Sequence, residues 1–426
     1  MKKNFGKLCL GGVLLFSLSM SLTSCDPYLD DILGEWSRPT PGGGSSSDEP
    51  TPTMKETPLT LEAITAGTIV VKNPQAGMQF SLNSGAKQAV TTDAIPVAIG
   101  DKVQFYGKGT SITAYFILES PSNDPANDTS ISGGTAQVKV YGNIMSLVDE
   151  TGFATLPEPT ALTGEFAFGS LFYGNTMLKD ISDLQLPATK LTRACYQNLF
   201  RGCTGLTTIP EALLSATTLA NQCYESMFNG CTGLTALPEK LLPATETKPS
   251  CYFAMFQGCT GLTTAPELPA TTLTKDCYLA MFSGCKGLTT APQLPATTLA
   301  QGCYSSMFYQ CASLTTAPKL PATTLAQGCY SSMFYQCASL TTTPKLPAPT
   351  LTEDCYYRMF YGCTDLTTAY VKAAYVDSNG ECSEMFNGCT AAGTLHTTSA
   401  NQADWNTKMG SGKTWSTWTT ANDWTD

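Results

Sequence analysis

Histidine is almost missing from this sequence: 426 residues contain one, His396. That excludes most catalytic dyads and triads built on imidazole, except around His396 itself. Charge is scarce too. Charged residues make up 14% of the chain, and 24 Lys and Arg against 34 Asp and Glu leave a net charge of −10. A nucleic-acid surface needs a basic stripe, which this balance does not supply, so no nucleic-acid partner is expected. No two cysteines show the Cys-x-x-Cys spacing of a zinc site. No Gly-rich stretch follows a strand with phosphate-loop spacing. Past the N-terminus, no apolar run reaches the length of a membrane span. Carboxylates such as Asp276, Glu353 and Asp354 are scattered before one recurring element and read as a solvated rim. No enzyme activity, cofactor or metal is expected.

Cysteine, by contrast, is plentiful and ordered. Of 18 cysteines, all but Cys9 and Cys25 fall in pairs inside a repeated phrase, as in Cys223-Tyr-Glu-Ser-Met-Phe-Asn-Gly-Cys231-Thr-Gly-Leu-Thr. Its phenylalanine sets the register: Phe172, Phe200, Phe228, Phe256, Phe282, Phe308, Phe334, Phe360 and Phe386, spaced by 28 three times and then by 26 five times. A leucine follows six residues later, from Leu178 to Leu366, and a proline ten residues later, from Pro210 to Pro344. Such a period marks a stacked array in which each unit touches only its neighbours. The two extra residues of the longer units fall at one point, where Pro238-Glu-Lys-Leu-Leu-Pro243 shortens to Pro266-Glu-Leu-Pro269. Variation confined there marks a loop on one face. The end units depart from the pattern, with Ala167 and Asn175 in place of cysteines at the start and Ala392 in place of leucine at the end. Altered ends are expected of caps.

Within a unit, Cys303, Met307 and Cys311 stand at i, i+4 and i+8, which predicts one stripe of a short helix ended by the glycine of Phe-x-Gly-Cys. Leu-Thr-Thr-Ala-Pro suits a short strand, with paired threonines such as Thr263 and Thr264, Thr289 and Thr290, and Thr315 and Thr316 stacked in ladders. The expected fold class is an α/β repeat.

Met-Phe-x-Gly-Cys-x-x-Leu-Thr followed by Leu-Pro-Ala-Thr-Thr-Leu resembles the BspA-like leucine-rich repeat proteins of Bacteroides-type surface lipoproteins. Residues 165–392 carry the resemblance. It departs where methionine replaces that family's alanine and where the first cysteine of each pair replaces its isoleucine. The stretch before the repeats, with Gly100-Asp-Lys-Val-Gln-Phe-Tyr106 and Tyr141-Gly-Asn-Ile-Met-Ser146, looks like the β-rich domain that precedes such repeats. The resemblance implies a cell-surface binding or adhesion protein with a leucine-rich-repeat solenoid of about nine units, preceded by a small all-β, sandwich-like domain. It supplies no ligand.

The N-terminus reads as an export signal. Lys2, Lys3 and Lys7 precede an apolar stretch from Leu8 to about Met20, which ends in Leu22-Thr-Ser-Cys25. That ending is similar to a bacterial lipobox, with Cys25 as the lipidated first mature residue. Asp26, Asp30 and Asp31 follow and resemble a surface-export signal, so an outer-membrane lipoprotein exposed at the cell surface is expected. The organisation expected is a signal over 1–24, a lipidated start and Pro-, Gly- and Ser-rich tether over 25–58, and a β-rich domain over 59–150. Repeats with their N-terminal cap follow over 151–392. A Trp-rich cap completes it over 393–426, where Trp415 and Trp418 are candidates to cover the open end.

The cysteines leave three readings open. Thiols can be buried as small apolar groups. Export permits disulfides, although eight residues of helix would hold paired Cα atoms about 12 Å apart, beyond bridging range. Metal is the third. Candidate ligand contacts lie where units differ. After the anchor phenylalanine stand Arg201, Asn229, Gln257, Ser283, Tyr309, Tyr335, Tyr361 and Asn387. Tyr309, Tyr335 and Tyr361 would form a ladder at about 5 Å per step. After the strand proline stand Glu211, Glu239, Glu267, Gln293, Lys319 and Lys345, a run from acidic to basic that could orient a partner. The near-copy of 294–316 in 320–342 means that part of this likeness reflects duplication. The expected role is adhesion to an extracellular host protein or another cell. Glycan capture for nutrient uptake and a passive spacer are the alternatives.

Overall fold

The computed structural model describes residues 53–107, 128–156, 160–162, 164–409 and 418–424. The chain from Pro52 onward is one compact unit. Cys25 and Trp415 lie outside the described residues.

The N-terminal part is built from short strands whose alternate residues point inward. They are β1 (Thr60–Ala63), β2 (Gly67–Lys72), β3 (Gln79–Leu82), β4 (Gln88–Ala89), β5 (Ile95–Val97), β6 (Lys102–Tyr106), β7 (Ser130–Gly134) and β8 (Val138–Asn143). Leu61 and Ala63, Ile69 and Val71, Val103 and Phe105, and Val138 and Val140 are buried at period two, as a strand with one covered face requires. Strands β5-β2-β7 form one antiparallel sheet. A larger sheet runs β4-β3-β6-β1-β8, also antiparallel. It then gains β9 (Leu178–Asp180) and β10 (Leu184–Gln185), both parallel to β8. Those two strands belong to the first repeat unit, so sheet and repeats share hydrogen bonds and one apolar core.

The repeated phrase does not form a helix. From Thr192 to Cys203 the chain is a ribbon of overlapping turns. Cys195, Gln197, Leu199, Arg201 and Cys203 each donate their N–H to the carbonyl three residues back. The alternate N–H groups, of Ala194, Tyr196, Asn198, Phe200 and Gly202, donate to carbonyls of the next unit, from Asn221 to Asn229, at 2.7–3.0 Å. Every fourth residue takes a left-handed φ: Ala194 at 53°, Asn198 at 57° and Gly202 at 75°. That twist turns every second N–H outward, and the same pattern recurs down to Glu384. The backbone thus satisfies itself partly within a unit and partly across to the next, where an α-helix would close its bonds internally. The one α-helix among the described residues is α1 (Gln402–Met409), outside the repeats.

Side chains of the ribbon stack in columns. The nine anchor phenylalanines form parallel pairs with centroids 5.3–5.9 Å apart and planes within 13°. A second column begins at Phe168 and runs through Tyr196, Tyr224, Tyr252, Tyr278, Tyr304, Tyr330 and Tyr356 at 5.5–6.2 Å, with all eight rings buried. All 16 repeat cysteines are buried and free. The second thiol of each pair donates to the anchor carbonyl of the preceding unit, as Cys231 does to Phe200 at 3.0 Å and Cys311 to Phe282 at 3.1 Å.

The threonine rungs are present, though mostly without full strands. Thr290 bridges Thr316 in parallel. Hydroxyls of Thr263, Thr315 and Thr367 donate to the carbonyls of Thr235, Thr289 and Thr341. The prolines interrupt what would otherwise be ladders. Among the described residues, a continuous all-parallel sheet forms only at the C-terminal end, from β11 (Thr342–Leu346), β12 (Thr368–Val371), β13 (Thr394–His396) and β14 (Thr419–Ala421).

Both ends of the aromatic stack are covered. At the start, Asn175 donates to the Ile131 carbonyl of β7 at 2.8 Å, and the Ile131 N–H donates to Leu171. At the other end, Trp405 and Trp418 lie on Phe386 at 6.3 and 5.7 Å, and their indole N–H groups donate to Ala373 and Ala391.

Candidate binding surface

The ribbon fixes the position after each anchor phenylalanine, because its carbonyl accepts from the unit before. Gly284 donates to Tyr309 at 2.7 Å, Gln310 to Tyr335 at 2.7 Å and Gln336 to Tyr361 at 2.6 Å. The side chains there project from a rigid backbone. Tyr309, Tyr335 and Tyr361 are half-buried and stack face to face, with centroids 4.6 and 4.8 Å apart and planes within 6°. Their faces cover one another, so they offer edges and hydroxyls to solvent. Burial, followed by the neighbouring Tyr309 and Tyr361, pushes the Tyr335 phenol up.

Polar groups border this strip. The Gln310 amide donates to Gln336 at 2.8 Å. Arg358 lies over the Tyr357 ring at 4.9 Å and the Tyr361 ring at 5.9 Å, and grips Glu384 through two bonds of 2.9 and 3.1 Å. The Glu384 hydrogen bond raises the Arg358 guanidinium above its ordinary value. The four units before Tyr309 carry no aromatic here: Asn229 bonds Gln257 at 2.9 Å and Ser283 is buried. The first unit does carry one, Tyr173 after Phe172, with Arg201 over its ring at 5.9 Å. The stacked aromatic strip therefore spans three consecutive units, with Tyr173 standing apart from it.

The residues after the strand prolines form a second column. Glu211, Glu239, Glu267, Gln293, Lys319 and Lys345 are all exposed, and the Glu267 N–H donates to the Glu239 carbonyl at 2.8 Å. A cleft of about 330 Å³ opens midway along, lined by Glu239, Glu267 and Gln293 with Pro266, Pro269 and Pro292. Beyond Lys345 the column continues into residues that the repeat register does not indicate. An irregularity between Thr342 and Lys345 sets Lys345 opposite Tyr370, which pairs in turn with His396. The Tyr370 and His396 rings stack at 4.6 Å, and His396 Nδ1 lies 2.7 Å from Asp423 Oδ1. That hydrogen bond holds the Asp423 carboxyl below its ordinary value. Lys345 Nζ lies over the Trp424 ring at 5.7 Å.

Asp276 and Asp354 open their ribbons with φ near 54° and 53°, and their carboxylates lie over Gly302 and Gly380 of the following units. They are ribbon residues, not a loop rim. Among the described residues, no group of three or more His, Cys, Asp and Glu is placed to hold a metal ion. No helix among them is long and apolar enough to cross a membrane.

The described chain is thus mostly strand and turn, with few helices and a periodic stack of aromatic and thiol columns. No known protein family, curated protein or solved structure matches it.

Proposed function

We propose that this is a lipid-anchored, cell-surface binding protein, without catalytic activity, whose leucine-rich-repeat-like solenoid engages an extracellular host protein or another cell. The observation that carries the reading is the tyrosine strip. Three rings stand edge-on along one line, held by a backbone that is hydrogen-bonded on both sides. Aromatic groups with an apolar body and a polar tip, held without rotamer freedom, are the side chains that dominate protein recognition. Because the ring faces are taken up by stacking, edges and hydroxyls are what a partner meets. That favours a protein surface over a sugar ring, which would need an open aromatic face. The cell-surface part rests on Cys25 and the acidic residues after it, and on a repeat phrase that resembles that of surface lipoproteins. The repeat phrase also supports the solenoid, as do columns that recur once per unit.

The test is a binding screen of the purified chain against extracellular matrix proteins, whole cells and polysaccharides, beside the Tyr309→Ala, Tyr335→Ala, Tyr361→Ala variant. Saturable protein or cell binding that the variant loses supports the proposal. Polysaccharide binding alone would replace it with glycan capture. Failure of the intact chain to bind anything would leave the spacer role.

A further inference from the structure

The column after the strand prolines has a symmetry that one copy of the chain does not use. In order it reads Glu211, Glu239, Glu267, Gln293, Lys319, Lys345, and all six residues are exposed. Among the described residues, Glu211, Glu239, Glu267 and Lys319 form no ion pair within their own chain. Reversing the column exchanges acid for base. Two copies laid face to face and antiparallel bring Glu211 of each to Lys345 of the other, Glu239 to Lys319, and Glu267 to the Gln293 amide. The two-fold axis then falls between Glu267 and Gln293. The Pro-walled cleft lies there, between Glu239 and Pro295. A centre walled by proline with charges toward both ends has the layout of a protein interface, apolar in the core and polar at the rim.

We infer that this face pairs with a second copy of the same chain, antiparallel, about a two-fold axis at the cleft. A two-fold interface must be self-complementary, with each residue meeting its counterpart's partner twice. A column running from one charge sign to the other meets that condition only when the copies are antiparallel; parallel copies would set glutamate on glutamate. The six positions span five steps of strand spacing, about 24 Å. The step between Glu239 and Glu267 is fixed by a backbone hydrogen bond of 2.8 Å. Lys240 is also exposed, but it stands in the two-residue insertion of the longer unit and outside the register. Antiparallel pairing carries the two first units to opposite ends. If Cys25 is the anchor proposed above, that is the geometry of contact between two cells; the pairing itself does not rest on that reading, nor on the tyrosine strip.

The experiment is sedimentation equilibrium of the full chain in density-matched detergent, with two charge-reversed variants. One is Glu211→Lys with Glu239→Lys, the other Lys319→Glu with Lys345→Glu. The wild type is expected to dimerise, less tightly as salt rises. Each variant alone sets like charges together and should weaken the dimer by roughly tenfold or more. Mixed in equal amounts, the two variants set the lysines at 211, 239, 319 and 345 of one against the glutamates at 345, 319, 239 and 211 of the other and should restore a dimer, which also shows that both are folded. The triple tyrosine-to-alanine variant should dimerise as the wild type does. A monomeric wild type, a dimer unaffected by either reversal, or a mixture that stays monomeric would each overturn the pairing. Loss of the dimer in the tyrosine variant would move it to the ribbon face and overturn it as well.

Discussion

Cys311 shows what a single repeat cysteine does. Its side chain is fully buried, and its thiol donates to the Phe282 carbonyl one unit back. That carbonyl already accepts the N–H of Cys285, so the thiol takes up its second lone pair. Cys311→Ala removes both packing and this bond, and should cost about 2 kcal/mol in chemical denaturation. The thiols also set a pH limit. Burial pushes Cys223, Cys259, Cys311 and Cys329 up to about 12 from an ordinary 9.0. An unfolded chain loses these protons near pH 9 while the folded chain keeps them. Stability is therefore complete below pH 9 and falls as pH rises from 9 toward 12, by about 1.4 kcal/mol per pH unit for each thiol. With reductant present, the melting temperature should be level near pH 8 and drop steeply above pH 9. A level profile to pH 10 would mean the thiols are not buried as described.

The ribbon is where sequence reading and structure part. Apolar residues at i, i+4 and i+8 fit a helix of 3.6 residues per turn over so short a stretch. They also fit a ribbon of exact period four, and the ribbon is what forms. Two signs of it were available in the sequence. The apolar positions come in pairs, Cys303 with Tyr304 and Met307 with Phe308, and do not drift around a cylinder. Every fourth residue is also one that tolerates a turn, as in Gln222, Ser226 and Gly230. The anchor register, the threonine rungs and the tyrosine ladder could all be read directly, because they depend only on spacing between units. The pairing of Lys345 with Tyr370 could not, because it follows from a local shift in strand register. Ser306 tests the ribbon, with φ at 53°. In a helix, glycine there would cost more than valine. In a left-handed position the order reverses: Ser306→Gly should be nearly neutral and Ser306→Val should cost about 2 kcal/mol in thermal unfolding. Equal losses, or a worse glycine, would restore the helix.

At the scale of the whole molecule, stability passes from unit to unit. Each turn of the array donates backbone bonds to the next, and the phenylalanine column runs unbroken from Phe172 to Phe386, on which two tryptophans lie, while the second column ends at Tyr356. Arrays of this kind fray from their ends. Trp405 is fully buried against Phe386 and Tyr375. Trp405→Ala should cost about 3–5 kcal/mol and speed amide hydrogen exchange first around Phe386, leaving the units near Phe228 protected. Uniform acceleration along the chain would instead mark a single cooperative fold.

The same arrangement places function on the surface that varies, since the columns leave each unit little freedom inside. The tyrosine strip is the feature on which the binding proposal stands or falls. Its most direct test is the affinity of three proteins for the partner that the screen identifies: the wild type, the triple Tyr→Phe variant and the triple Tyr→Ala variant of Tyr309, Tyr335 and Tyr361. Phenylalanine keeps the stack and its edges and removes only the hydroxyls. The account predicts that Tyr→Ala loses binding by a hundredfold or so, as expected when a central aromatic cluster is removed, while Tyr→Phe retains part of it. Unchanged affinity in the Tyr→Ala protein would contradict it and place recognition elsewhere on the chain.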